Sequence, residues 1–492
     1  MAAVAPEDAA TGSSPGRAVR RVGLGARLAL GAAAATAGVL LPAQPALAHG
    51  IEGSAELPIP VWLFGWAAVA VLIVSFVALG SLWKQPRLQH DRPRPVLPLP
   101  EWVVGACGLL GIAILALVVY SGFAGTDDPD GNFAVVFVYI WLWVGVAVAS
   151  ALFGDLFHAF SPWRAIARAA VWAVRRAGRE ARAPRRYPDG LGRWPAVATI
   201  AAFAWLELVF TSRDDPRILA ALALAYTLLQ LGGMALFGIE AWTRRGDGFG
   251  ALFGLYARLS PFERREGKLC VRRPLSGAPP LEAIAGTVAL IVTAIGATTF
   301  DGFSNGPVWA AIADPLEDWL SGLGVGVGTA GELAGTIGLL GCIALVGGLY
   351  RLGIAGVKTI DAARGAGQLQ RTFVHSLIPI AFAYTLAHYF SLLVLQGQDL
   401  IYLASNPLGH GTDYFGTAGF EVDLGLVSAA GIWYVQVAAL LGGHLAGLTL
   451  AHDRSIALYP RRTQAVRSQY WMLVVMVAFT SLGLWLLSAV NA

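Results

Sequence analysis

Residues 102–123 read WVVGACGLLGIAILALVVYSGF, 22 consecutive positions without a charged side chain. A helix rises about 1.5 Å per residue, so this run can cross the roughly 30 Å hydrocarbon core of a bilayer. Similar runs recur along the 492-residue chain, which is 56% hydrophobic and only 13% charged, whereas soluble domains carry about 25% charged residues. The sequence predicts an all-α, polytopic transmembrane helical bundle and excludes a soluble enzyme, a disordered protein and a nucleic-acid-binding domain.

We expect about ten spans in a membrane domain of residues 49–492. Two loops, 155–194 and 243–280, are long and rich in arginine, and we expect both to be cytoplasmic. The expected spans, in chain order, are 60–83, 102–123, 133–154, 195–212, 217–242, 281–299, 330–350, 374–397, 425–452 and 467–489.

Residues 1–48 have the pattern of a cleavable signal peptide with a polar, disordered start. A basic segment ending at Arg27 precedes an apolar run over 28–41 and the small-residue site Ala46-Leu47-Ala48, as in secretory signals. Cleavage there would make His49 the first residue. An N-terminal histidine offers both its amine and its ring nitrogen to one metal ion, so His49 is a candidate ligand.

The basic residues predict the orientation of the chain. Of the 35 Lys and Arg residues, four precede residue 49, and of the rest only Arg213 and Arg217 fall in loops on the same side as the mature N-terminus. Cytoplasmic loops carry the excess of Lys and Arg. We therefore expect a plasma-membrane protein with both mature termini outside, embedded in the lipid bilayer, and with anionic lipids against its basic cytoplasmic loops.

A short repeat accompanies these loops. Phe153-Gly154 precedes Ser161-Pro162, and Phe249-Gly250 precedes Ser260-Pro261. Serine before proline suits the cap and first position of a helix. We expect each pair to begin an interfacial helix, and the basic, tryptophan-containing segment 161–193 to be amphipathic.

Ionisable side chains inside the spans are the candidate functional residues, because each is costly in lipid. Counting along the helices predicts one mid-membrane layer of Glu207, His388, His444 and Gln436. A second polar layer is expected near the inner face. Its members are Asp155, His158, Glu240, His375, His452 and Asp453.

Several kinds of chemistry suit these residues. Histidine with glutamate can form a proton relay, or can bind Cu or Zn as cargo or to activate water, with His388, His444, Glu207, His49 and His452 as ligands. The intervals His375–His388 and His444–His452 are 13 and 8 residues, and their mismatch disfavours a pair of bis-histidine haems but leaves a single haem between His388 and His444 as an alternative. Interhelical packing in a non-catalytic assembly subunit is a third possibility.

Short motifs also resemble a family of actinobacterial multi-pass membrane proteins commonly labelled fenitrothion hydrolase. The resemblance implies metal-assisted hydrolysis of an organophosphate triester, with His49, His388, His444 and His452 as the candidate residues. The matching stretches are Ala48-His49-Gly50-Ile51, Leu57-Pro58-Ile59-Pro60, Ser376-Leu377-Ile378-Pro379-Ile380, Ala387-His388-Tyr389, Asn406-Pro407-Leu408-Gly409, Gly443-His444 and Ala451-His452.

Overall fold

The fold is a bundle of α-helices, as the sequence predicts. The computed structural model describes residues 61–89, 91–180 and 183–490, so the predicted signal segment and His49 lie outside the described residues. The helices are α1 (Val61–Leu82), α2 (Glu101–Ala124), α3 (Phe133–Phe153), α4 (Leu156–Phe160), α5 (Pro162–Arg176), α6 (Trp194–Leu208), α7 (Pro216–Phe237), α8 (Ile239–Arg245), α9 (Gly248–Tyr256), α10 (Thr287–Ser304), α11 (Pro307–Gly322), α12 (Val327–Lys358), α13 (Ala366–Phe373), α14 (Ile378–Val394), α15 (Asp399–Ser405), α16 (Ala429–Leu458), α17 (Arg462–Arg467) and α18 (Tyr470–Val490).

Nine of the ten expected spans are present in the described residues as helical segments long and apolar enough to cross a membrane. They are α1, α2, α3, α7, α10, α12, α13 with α14, α16, and α17 with α18. The tenth, expected over 195–212, is α6, which has 15 residues and is about 22 Å long. It ends early because the chain turns after Leu208 to reach Asp215, whose side chain caps α7.

Close packing of small residues joins α14 to α16. A Cβ added at Gly443 would lie 2.2 Å from the Ala383 Cβ, and one at Gly447 would lie 2.8 Å from the carbonyl oxygen of Ser376, in the short 3-10 turn that leads into α14. These two glycines are four residues apart and share a helix face, which is the spacing that lets membrane helices approach closely. The contact holds α14 in register against α16.

Part of the predicted cytoplasmic loop 243–280 is not a surface loop. Its segment α9 is buried in the bundle, where Phe249 packs against Trp143 and Phe203. At the other end of α9, the Tyr256 hydroxyl lies 3.3 Å from the Thr385 hydroxyl on α14. The apolar sequence of α9 explains why it is buried in the core instead of remaining in water.

A small antiparallel sheet that the hydropathy pattern did not indicate follows α9. Its strands are β1 (Arg94–Pro98), β2 (Phe262–Arg265) and β3 (Lys268–Val271), in the spatial order β1-β3-β2. Arg94 of β1 and Phe262 of β2 both pair with Val271 of β3. The sheet therefore ties the segment after α1 to the loop after α9.

The two Ser-Pro pairs differ in the structure. Ser161 accepts a hydrogen bond from the Arg164 backbone N–H and caps α5, with Pro162 in its first turn, as predicted. The prediction for Ser260 is wrong, since this residue lies between α9 and β2. Its hydroxyl donates to the Leu152 carbonyl and accepts from the Phe262 N–H, because the chain there enters a strand.

Candidate functional site

Three helices bring two carboxylates, an imidazole and a phenol together inside the bundle. Asp301 lies in the last turn of α10, while His388 and Tyr389 are neighbours on α14. Glu207 is the penultimate residue of α6. We call Glu207, Asp301, His388 and Tyr389 the acid–histidine cluster.

Asp301 is the centre of this cluster. Its Oδ2 atom lies 2.9 Å from the His388 Nε2 atom and accepts a hydrogen bond of 2.6 Å from the Tyr389 hydroxyl. The side chains of Asp301 and His388 are only 16% and 17% exposed. A carboxylate bonded to one imidazole nitrogen fixes the orientation and tautomer of the ring.

Glu207 brings a second carboxylate to the cluster. It interacts with the Tyr389 hydroxyl and with the charge of Asp301. Arg213, in the loop after α6, acts electrostatically on both carboxylates, and its backbone carbonyl accepts a hydrogen bond from Tyr139. The cluster therefore combines two acids with one nearby cation.

The His388 ring also borders a small cavity. The cavity has a volume of about 20 Å³ and is lined by His388, Thr298, Thr299 and Tyr384, among others. Gly302 lines it as well, with the position of its absent Cβ 3.7 Å from the His388 Nδ1 atom. A cavity of this volume is large enough for one water molecule.

The predicted second polar layer divides into separate groups. Asp155 caps α4 by accepting from the His158 backbone N–H. Glu240 on α8 contacts the His158 ring at 3.2 Å and the Arg164 guanidinium at 2.7 Å. The hydrogen bonds from His158 and Arg164 hold the pKa of the Glu240 carboxyl well below its usual range. This group joins α8 to α4 and α5.

His452 and Asp453 hold neighbouring segments of the chain against α16. The His452 Nδ1 atom lies 3.2 Å from the Gln469 side-chain oxygen. The buried Asp453 carboxylate accepts hydrogen bonds from Trp83, Gln89 and two backbone N–H groups. His375 is also buried, where it interacts with the backbone of Leu450 and Thr372. These contacts account for Asp453 as a structural residue.

The other two residues of the predicted middle layer lie on α16. His444 and Gln436 are both buried, and among the described residues neither forms a hydrogen bond or ion pair with the acid–histidine cluster. His444 instead lines a second, larger cavity together with residues of α12 and α18. The structure thus brings Glu207 and His388 together and places His444 at a different cavity.

Sequence reasoning missed Asp301 and Tyr389. The expected span ended at residue 299, yet α10 continues to Ser304, and the Gly306-Pro307 pair that follows was the available stop signal. Within the residues that the structure describes, no three His, Cys, Asp or Glu side chains form a group that could hold a metal ion. Four of the five metal-ligand candidates, Glu207, His388, His444 and His452, therefore form no such group, and His49 lies outside the described residues.

Comparison of the chain with protein-family models, with curated proteins and with solved structures finds no match.

Proposed function

We propose that this protein transfers protons or another small cation across the membrane, with the acid–histidine cluster as the site where the cation is exchanged. The observation that carries the proposal is the buried contact of Asp301 with both His388 and Tyr389. Buried ionisable groups are costly in membrane proteins and commonly belong to ion pathways or proton relays. The cluster thus holds an imidazole and a phenol, both within hydrogen-bonding reach of one carboxylate.

The proposed transfer uses both nitrogen atoms of the His388 ring. The Nδ1 side takes a proton from the water-sized cavity next to Gly302. The imidazolium formed is stabilised by Asp301, which lies 2.9 Å from Nε2, and that nitrogen then delivers a proton toward the carboxylates. Tyr389 contacts Asp301 and interacts with Glu207, so it links the two acids: its hydroxyl gives its own proton to Glu207 as it accepts one from Asp301.

Two features favour a proton over a metal ion as the cation at this cluster. His388 and Tyr389 each bond directly to the same oxygen of Asp301, so that oxygen is already occupied by hydrogen-bond donors. The Arg213 guanidinium, which lies 3.5 Å from Asp214, also acts on both carboxylates, and its positive charge opposes a divalent ion more than a monovalent one.

Proton flux in liposomes tests this proposal. The full-length protein is reconstituted into liposomes that enclose a pH-sensitive dye. A potassium gradient with valinomycin sets a membrane potential that drives protons inward. We expect flux well above that of empty liposomes, with a loss of at least about tenfold in Asp301→Asn and in His388→Ala, since positioned proton-transfer groups contribute at least about 10²-fold to transfer rates.

Matched variants on the surface provide the controls. Asp314→Asn and His410→Ala change the same residue types at exposed positions and should leave the flux unchanged. No flux in the wild type, or equal flux in wild type and in well-folded His388→Ala protein, would contradict the proposal. Either result would leave hydrolysis or interhelical packing as the role of the cluster.

Hydrolysis of a phosphotriester is the second candidate function. One observation favours it, because an Asp–His pair beside a cavity of water size is an arrangement in which imidazole can act as a general base toward water. Turnover of fenitrothion by purified protein, abolished in Asp301→Asn and His388→Ala but kept in His410→Ala, would support this activity. Turnover that these substitutions leave unchanged would point to a contaminant.

We further propose that the chain lies in the plasma membrane with the acid–histidine cluster toward the outer face. The charge pattern supports this orientation, since α6, α10 and α14 then all run outward and the cluster lies near their C-terminal ends. His388 is six residues, or about 9 Å, from the end of α14.

Removal of residues 1–48 is part of the proposal, and mass spectrometry of the mature N-terminal peptide tests it.

A further inference from the structure

A second site, which does not depend on the proposed proton transfer, lies at the larger cavity. The cavity has a volume of about 60 Å³ and lies between α10, α12, α14, α16 and α18. Its lining is almost wholly apolar and includes His444 together with the thioethers of Met472 and Met476. The two methionines are four residues apart on α18, so they share one face of that helix.

The state of the His444 ring is set by its hydrogen bond. The Nδ1 atom lies 2.8 Å from the Leu440 carbonyl oxygen, which can only accept, so Nδ1 carries the proton. The Nε2 atom therefore holds a free lone pair. It is buried and has no hydrogen-bond partner among the described residues, while the Tyr384 and Phe479 rings pack around the imidazole.

This tautomer is the one that prepares a histidine for metal binding. A ligating histidine almost always donates its other ring N–H to a carbonyl or carboxylate. The remaining hydroxyl groups at the cavity are already in use, since Tyr350 donates to the Gln370 carbonyl and Ser376 to the Phe373 carbonyl. Nε2 of His444 is thus an open nitrogen donor in the lining.

The methionines identify the class of ion. The chain has only four methionines, and two of them lie at this cavity. Thioethers are soft ligands that select Cu(I) among biological metals. The lining holds no carboxylate, so nothing in it would compensate the second charge of Zn²⁺ or Cu²⁺ in apolar surroundings. A monovalent, soft ion fits the donor set.

We infer that His444, Met472 and Met476 form a Cu(I)-binding site inside the helical bundle. The three neutral donors provide one imidazole nitrogen and two thioether sulfurs, enough for a three-coordinate Cu(I) ion. With the orientation proposed above, the cavity lies toward the cytoplasmic half of the bundle, where the reducing environment keeps copper as Cu(I).

Copper binding by the purified full-length protein tests the inference. The protein in detergent is titrated anaerobically with Cu(I) in competition with a colorimetric Cu(I) chelator. We expect the wild type to bind one more Cu(I) ion per chain than the double variant Met472→Leu/Met476→Leu. X-ray absorption of that ion should show both nitrogen and sulfur neighbours.

Single substitutions sharpen the assignment. Each of His444→Leu, Met472→Leu and Met476→Leu should weaken binding by at least roughly tenfold, because even loss of an outer partner of a ligand costs about 10- to 100-fold in metal affinity. Met to Leu nearly conserves volume and is well tolerated in cores. The matched control is Met234→Leu, a buried methionine on α7, which should bind Cu(I) as the wild type does.

The site is independent of the acid–histidine cluster, so Asp301→Asn should retain full Cu(I) binding while losing proton flux. Failure of one proposal therefore leaves the other standing. Absence of a tight Cu(I) ion in the wild type would overturn the inference. Unchanged Cu(I) affinity in the folded double variant would also overturn it. That result would mean that the cavity is an empty void and that the two methionines only pack against it.

Discussion

Individual buried carboxylates in this protein differ in whether both of their oxygens accept hydrogen bonds. Asp453 accepts hydrogen bonds at both oxygens. Asp247 accepts at Oδ1 from the Tyr226 hydroxyl and the Gly250 N–H, but its buried Oδ2 has no partner among the described residues. Burial consequently raises the pKa of the Asp247 carboxyl to about 6. Asp247 caps α9, but burying its negative charge destabilises the folded protein.

This shift predicts a dependence of stability on pH. The folded-state pKa is above the unfolded value near 4, so the folded protein binds the extra proton between about pH 4 and pH 6, and stability falls as pH rises through that window. Asp247→Asn keeps the Oδ1 acceptor without the charge. We expect its free energy of unfolding, relative to wild type, to increase by on the order of 2 kcal/mol between pH 4 and pH 7.

Chemical denaturation of both proteins across this pH range measures the effect, since subtracting the wild-type curve cancels the other titrating groups. Asp318→Asn, an exposed change on α11, serves as the control and should show no such difference. A relative stability of Asp247→Asn that does not vary with pH would show that the carboxyl is not desolvated as its burial indicates.

At the scale of the elements, small residues decide which helices can touch. α14 and α16 approach closely because Gly443 faces the Ala383 Cβ and the Pro379 carbonyl oxygen. Membrane helices lack a strong hydrophobic force between them and depend on such close packing. The same contact fixes His444, the residue after Gly443, relative to α14.

The adjacent pair Gly442 and Gly443 allows a matched test. A Cβ at Gly443 would clash, whereas one at Gly442 meets nothing within 4 Å. We expect Gly443→Ala to destabilise the protein by about 1–3 kcal/mol, the usual cost of overpacking, and to lower the unfolding temperature measured in detergent. Gly442→Ala should be neutral or slightly stabilising, because alanine favours the helix. Equal unfolding temperatures for the two variants would show that this contact does not limit the packing.

At the scale of the whole molecule, the distribution of charge predicts the orientation. The formal net charge is only +4, but the basic residues concentrate on one side of the predicted spans. α5 carries several of them and exposes Trp172 at 67%, as expected of a basic helix at the surface of an anionic leaflet. α11 carries Asp314, Glu317 and Asp318 in the predicted outer loop between α10 and α12.

Labelling of single cysteines in intact cells checks this orientation. The native Cys107, Cys270 and Cys342 are first replaced by alanine. A membrane-impermeant maleimide should then label Asp318→Cys on α11 directly, and Arg175→Cys on α5 only after the membrane is opened. Both positions are exposed in the structure, so access to the reagent depends on the side of the membrane alone. Labelling of Arg175→Cys in intact cells would show that α5 lies outside the cell and would contradict the proposed orientation.

The sequence predicted the helices better than the site. Long apolar runs fix helices locally, and nine of the ten expected spans are present among the described residues. The tenth is shorter because Asp215-Pro216 starts the next helix. Depth counting placed Glu207, His388 and His444 in one layer, but equal depth does not specify lateral distance. Asp301 completes the cluster only because α10 extends beyond the apolar run that predicted it.

By itself, the sequence determined an all-α membrane bundle, because the length and hydropathy of each run report the local cost of burying a polar backbone in lipid. Only the tertiary structure decided which polar groups meet. The pairing of Asp301 with His388, the burial of α9 and the shared cavity of His444 with Met472 and Met476 all join residues distant in the chain. Such contacts depend on how the faces of different helices pack against one another. The sequence of a single helix does not determine which neighbouring helix each of its faces will meet.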